Sequence, residues 1–147
     1  MFDPTFDGID HINIYSRART QLGRLLTNFA HTPFEHPEHG HFESVEGFWY
    51  YVKTGHCHDE LRDLWGFKAK QVGKVLPVVD NFDFDDEIRD AMTCKVAQNP
   101  FLTQQLIQST LLFTHYYVMG DNVVEPVAHR WQPRWWGDYR TKRQQEM

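Results

Sequence analysis

Residues 22–53, LGRLLTNFAHTPFEHPEHGHFESVEGFWYYVK, constrain the fold more than any other part of the chain. Pro33 and Pro37 argue against regular structure as far as Phe42, because proline lacks an amide donor and pushes the preceding residue out of the helical region. From Val45 the pattern changes. Ser44 is placed to cap the amide of Gly47 and Gly55 to stop the chain, so a helix is predicted over Val45–Lys53. Glu46 and Lys53 lie seven apart, almost two turns, so both leave one face with Tyr50 between them. A carboxylate, a phenol and an amine in a row beside Phe48, Trp49 and Tyr51 offer acid/base groups next to aromatic faces; equally, the row is a surface pair on an amphipathic helix. Glu46 falls in the first turn, where the helix dipole favours a charged carboxylate.

With 147 residues and 41% hydrophobic content, the chain suits one domain, 1–147, with a loose lead-in over 1–9 and a frayed tail over 140–147. The net charge of -5 and pI near 5.9 exclude the overall basic balance that holds duplex nucleic acid by its phosphates, so any such contact is local. Cys57 and Cys94 lack a CxxC spacing, and the acidic start MFDPTFDGID has no apolar run. Reduced thiols in a cytoplasm, no signal peptide and no membrane contact are therefore expected. Aromatics at 15% and nine histidines are the compositional oddities, fitting either a filled core or stacking platforms.

Along the chain, residues 11–15 alternate apolar and polar as a short strand does. Arg17, Arg19 and Arg24 surround Gly23, a density of guanidiniums that suits a phosphate or pyrophosphate, or else forms a solvated turn. His31, His36, His39, His41, His56 and His58 flank the predicted helix. No strict Cys/His spacing orders them, so they read as solvated loop histidines and no metal is expected. A short helix is predicted over 59–66, and Lys70 and Lys74 lie one helical turn apart, able to project together toward an anion. An acidic loop over 80–87 leads into a helix over 86–97. Pro100 opens a helix over 101–109 whose stripe Phe101, Leu102, Leu106 and Ile107 reads as core. The β-favouring run 111–119, a turn at Gly120-Asp121-Asn122 and then Val123-Val124 predict a hairpin, and 131–147 a final docked helix. The fold class expected is α+β, mostly helical, with a small β element.

Four blocks of this sequence occur together in one known family. They are Thr27-Asn28-Phe29 with Pro33-Phe34; Ser44 and Glu46 with Lys53; Ala69-Lys70 with Gly73; and Lys95 with Asn99-Pro100, Leu102, Leu106 and Thr110. In order and spacing they resemble the NADAR family over about residues 12–112. The sequence departs from the family pattern at one residue and in one region. Tyr50 stands where a Gln is usual, and in the C-terminal Glu, Asp and Trp-Gly signature Glu125 and Trp136-Gly137 are present at a longer spacing with His129-Arg130 where the Asp is usual. A nearer subgroup is similar through Thr114-His115-Tyr116-Tyr117 and His129.

The resemblance implies a single NADAR-like domain and hydrolysis of an N-glycosidic bond, without a cofactor. The substrate implied is ADP-ribosylated guanine, in DNA or as a free nucleotide, with ADP-ribose as product and a role as toxin antidote or counter-defence. The alternatives are phosphorylated ribosylamino intermediates of riboflavin synthesis, or a non-catalytic ADP-ribose reader. Mapped residue by residue, Glu46 is the expected acid/base group and Lys53 an amine able to capture the opened ribose as a Schiff base. Asn28 is expected to hydrogen-bond the ribose or base, and Phe29 and Trp49 to stack on rings. Arg17, Arg24 and Lys70 suit the phosphates, and Tyr50, His115 and Tyr116 complete the expected binding set.

Overall fold

In the computed structural model, which describes residues 2–147, the predicted helix forms between its predicted caps. The first residue of the expected lead-in lies outside the described residues. The elements in order are β1 (His11–Asn13), α1 (Gln21–Leu26), β2 (Phe34–His36), β3 (Gly40–Phe42), α2 (Val45–Lys53), α3 (Gly66–Gly73), α4 (Phe84–Ala97), α5 (Pro100–Gln108), β4 (Leu112–Thr114), β5 (Tyr117–Met119), β6 (Asn122–Val124) and α6 (Gln132–Gln145). The class is α+β, about half helical, and among the described residues the sheets are all two-stranded. Among the described residues no helix is long and apolar enough to cross a membrane. The chain folds into two compact units, one formed by Asn28–Pro100 and the other by the residues up to Thr27 together with Phe101–Met147.

The Asn28–Pro100 unit is built on α2. Ser44 Oγ accepts the Gly47 amide at 3.0 Å and donates to the Leu64 carbonyl at 2.8 Å, fixing the helix start to the 3-10 turn Asp59–Asp63 and its exit. Every residue of α2 from Val45 to Val52 is buried, which removes the surface-helix alternative. Two glycines make such burial possible. A Cβ at Gly47 would lie 2.4 Å from the Leu61 carbonyl, and one at Gly73 of α3 would lie 2.1 Å from Cγ of Tyr50. Phe34, Phe42 and Phe48 pack among themselves, Phe42 meeting Phe48 edge-on at 4.9 Å. Ile88, Ala91 and Met92 of α4 are also fully buried.

Three expectations for this unit need correction. The proline-flanked segment is a hairpin, β2 pairing antiparallel with β3 in the register Phe34↔Phe42, because Pro33 and Pro37 fall just outside the strand and cost it no ladder bond. The 59–66 segment is a 3-10 turn over Asp59–Asp63. The fourth helix starts at Phe84, so the acidic residues Asp85, Asp86 and Glu87 occupy its first turn, where the dipole favours them.

In the other unit β1 pairs in parallel with β4, Ile12 opposite Phe113. Residues 111–119 were expected to form one arm of a hairpin, but Asn13 splits them. Its side-chain oxygen accepts the Tyr116 amide and its side-chain nitrogen donates to the Tyr116 carbonyl, both at 2.9 Å, which turns the chain between β4 and the β5–β6 hairpin. The lead-in is tied down: the Asp7 carboxylate accepts the amides of Asn13 and Arg19, each at 2.9 Å. The expected tail is ordered helix as far as Gln145, with Arg140 donating to Leu111 O at 2.7 Å and Gln144 to Ile107 O at 2.9 Å. Of the α5 stripe, Leu102 and Leu106 are core, whereas Phe101 is 54% exposed.

Gly73→Ala drives a methyl into the Tyr50 ring and is expected to destabilise the protein by about 1–3 kcal/mol, as overpacking does. Equilibrium urea unfolding checks this; an unchanged midpoint would mean that α3 slides freely on α2.

Candidate active site

Glu46, the second residue of α2, is only 6% exposed, and its amide donates to the Asn28 carbonyl at 2.8 Å. Burial pushes its carboxyl up to about 7, against the opposing charges of Lys70 and then Lys53. The helix dipole was expected to favour the ionised form, but loss of water outweighs it here. Among the described residues no ion pair closes on Glu46, so the two lysines act on it through space. Lys53 Nζ lies 5.9 Å from the centre of the Tyr50 ring, and Lys70 is exposed on α3. One helix row and the facing helix thus gather a nearly neutral acid, two amines and a phenol.

Asn28 is 7% exposed and, among the described residues, its side-chain oxygen is buried without a partner, a cost that a bound water or ligand group would relieve. Phe29 is half-buried, and its carbonyl accepts the Gly66 amide at 3.0 Å, setting the start of α3. Trp49 is 7% exposed and meets Phe84 edge-on at 4.7 Å, which makes it a packing residue of the α2–α4 contact more than an open stacking platform. Lys95 went without an assigned role at the sequence level. It is fully buried on α4, and burial brings its amine down to about 7. The signal was present: Ile88, Ala91, Met92 and Lys95 recur at helical spacing on one face.

The other unit holds Arg17 and Tyr116 around a cavity of about 270 Å³, together with Asp7, Asn13, Tyr15 and Arg19. Burial, and then the carboxylates of Asp7 and Asp10, push the Tyr116 phenol up to about 12, so it stays protonated. Its hydroxyl is 2.7 Å from His11 Nε2. Arg24 does not join this cavity. Its guanidinium donates to the carbonyls of Ala18 and Arg19, at 2.8 and 3.3 Å, and closes its own loop. His115 is likewise engaged, Nδ1 donating to Ile14 O at 2.5 Å, and burial lowers its pKa.

Neither a family model nor a curated protein sequence matches the chain. The structure is similar to the NMR structure of the E. coli protein YbiA, with a TM-score of 0.70 over 93% of this chain and 86% of that chain, at 16% identity. The fold is that of YbiA. This is the NADAR-like fold implied by the four sequence blocks. In this chain the second of those blocks supplies the buried helix and the third supplies Lys70 and Gly73, the residues that charge and close its contact with α3.

A carboxyl whose folded pKa lies above its ordinary value of 4.5 binds protons more tightly when folded. The stability this gives is fully present below 4.5 and is lost as pH rises through about 7. Above that pH the buried charge costs on the order of 3 kcal/mol, at about 1.4 kcal/mol per pKa unit. Glu46→Gln is therefore expected to raise the melting temperature at pH 8.5 and to change it little at pH 5. Thermal melts at the two pH values check this, and equal shifts at both would contradict a buried titrating carboxyl.

Proposed function

We propose that this chain is a NADAR-family N-glycosidase of the cytoplasm that releases ADP-ribose from ADP-ribosylated guanine, in DNA or as the free nucleotide, reversing the modification as a toxin antidote or counter-defence. The observation that carries the reading is Glu46: a buried carboxyl whose pKa is raised to about 7, under the charge of Lys70 and then Lys53, with no ion pair closing on it among the described residues. An acid with this pKa is able to donate a proton near pH 7 and then take one back.

In the proposed reaction the bond between ribose C1′ and the guanine nitrogen breaks, and the electron pair leaves with the base. Glu46 supplies the proton the base needs. Lys53, as the free amine, adds to the C1′ cation and passes a proton to the Glu46 carboxylate. The C1′–O4′ bond then breaks with its electron pair going to O4′, which gives the Schiff base, and after water adds to C1′ the C1′–Nζ bond breaks, releasing ADP-ribose and the amine. Asn28 offers its unpartnered amide oxygen to a ribose hydroxyl or base edge. Within the same unit, Lys70 suits phosphate oxygens, and Tyr50 and Phe29 the rings. The net charge of -5 is compatible with this, because an enzyme reading one modified nucleotide needs a pocket more than a basic face.

A second reading, a glycosidase for phosphorylated ribosylamino intermediates of riboflavin synthesis, draws support from the 270 Å³ cavity with Arg17 and Arg19, a volume and charge suited to one phosphate group. Incubation with a guanine-ADP-ribosylated oligonucleotide, followed by gel and mass spectrometry, separates the two. Release of ADP-ribose is expected, reduced about 10²–10⁴-fold in Glu46→Gln and strongly in Lys53→Ala, with kcat/KM falling as pH rises through about 7. An intact adduct alongside cleavage of ribosylamino substrates would shift the assignment to the second reading.

A further inference from the structure

Three side chains away from the Glu46 carboxyl converge within the Asn28–Pro100 unit. His39 lies in the turn between β2 and β3, His56 just beyond α2, and Glu87 in the first turn of α4. Each offers one ligand atom, and these atoms all lie within 4.8 Å of one another. Glu87 Oε1 is shared, 2.7 Å from His56 Nε2 and 3.5 Å from His39 Nε2. We propose that His39, His56 and Glu87 bind a divalent cation of the zinc class, joining the β2–β3 turn, the exit of α2 and the start of α4.

The donor set fits. Two imidazole nitrogens and one carboxylate oxygen are the ligands that borderline transition-metal ions take up in preference to calcium or magnesium. Bonds of about 2.0–2.1 Å in a tetrahedron separate neighbouring ligand atoms by about 3.3 Å. Glu87 Oε1 withdraws from His56, and the two imidazoles, stacked at 4.9 Å between ring centres with ligand atoms within 4.8 Å, adjust toward that spacing. Side-chain exposures of 20% for His39, 31% for His56 and 21% for Glu87 leave the cluster half-buried, with access for water as a fourth ligand.

Surrounding groups hold the three ligands in place. Asn81 Nδ2 donates to Glu87 Oε2 at 2.5 Å, leaving Oε1 for the ion. Arg62 donates to the His39 carbonyl. His36 Nδ1 accepts the amides of Glu38 and His39 at 3.1 and 3.2 Å, which shapes the turn that carries His39. His56 has φ +62°, a left-handed conformation that a non-glycine residue adopts at a cost, and its amide donates to Tyr51 O at 2.8 Å. The Tyr51 ring stands near both imidazoles, 5.7 Å from His56 and 5.8 Å from His39, giving the site an aromatic wall. These ligands lie 17 and 31 positions apart in sequence, which is why reading spacing alone dismissed them.

The test uses full-length protein without a histidine tag, freed of metal by chelator and titrated with Co²⁺ alone, and then with Zn²⁺ as competitor. One equivalent of Co²⁺ per chain is expected, with visible d–d absorption that Zn²⁺ abolishes, and Zn²⁺ is expected to raise the melting temperature. His56→Ala and Glu87→Gln should each weaken binding by about 100-fold or more, and Asn81→Ala, which leaves all three ligands in place, by about 10–100-fold. His41→Ala, which removes an exposed histidine paired with Glu35 and Glu43, should leave affinity unchanged. No absorption band with wild-type protein, or affinity unaltered in the Glu87 and Asn81 variants, would overturn the site.

Discussion

The fold of the Asn28–Pro100 unit rests on burying α2, a nine-residue helix whose first eight residues are all removed from solvent. A helix this short has little stability of its own, so tertiary packing has to supply it. Each large side chain it buries contributes about 1.5–3 kcal/mol, offset by the entropy of ordering the chain around it. Close packing needs Gly47 against the 3-10 turn and Gly73 against Tyr50, because a methyl group at either point would overlap its neighbour. The same burial that holds the unit together carries Glu46 out of water. Its raised pKa is thus a consequence of the packing, tempered by Lys70 and Lys53.

That coupling links stability to chemistry. A carboxylate placed in the first turn of an exposed helix would stay ionised and serve only the helix dipole. Placed in this core it is poised near neutral pH, and the folded state pays for it whenever it ionises. Such a cost is typical of sites that perform acid–base chemistry, where function and stability pull in opposite directions. Lys95, fully buried on α4, is a second group held away from its ordinary charge state by the same means.

Much of this was legible in the sequence where local chemistry decides the outcome. Ser44 and Gly55 bound α2 because capping is a matter of a few adjacent residues, and Pro100 opens α5 for the same reason. The NADAR-like fold was legible through four blocks, the third of which brings Lys70 and Gly73 to α2. What could not be read was decided by residues distant in sequence. Asn13 splits a predicted strand by binding Tyr116, more than 100 positions away, and Arg24 spends its guanidinium on backbone carbonyls. Pro33 and Pro37 suggested irregular chain, yet they bracket a strand in place of interrupting it. Trp49 illustrates the limit for site residues: aromatic character was visible, but whether its ring meets a ligand or Phe84 depends on α4. His39, His56 and Glu87 were likewise separated until the fold brought them together.

The central claim is that the Glu46 carboxyl is held near neutrality by burial in the field of two lysines. The most direct measurement is a ¹³C NMR titration of the glutamate side-chain carboxyls, with Glu46 assigned by its loss in Glu46→Gln. The account predicts a midpoint of about 7 for Glu46, rising further in Lys70→Ala because the larger opposing charge is removed. A midpoint close to the ordinary 4.5, unmoved by that substitution, would contradict it.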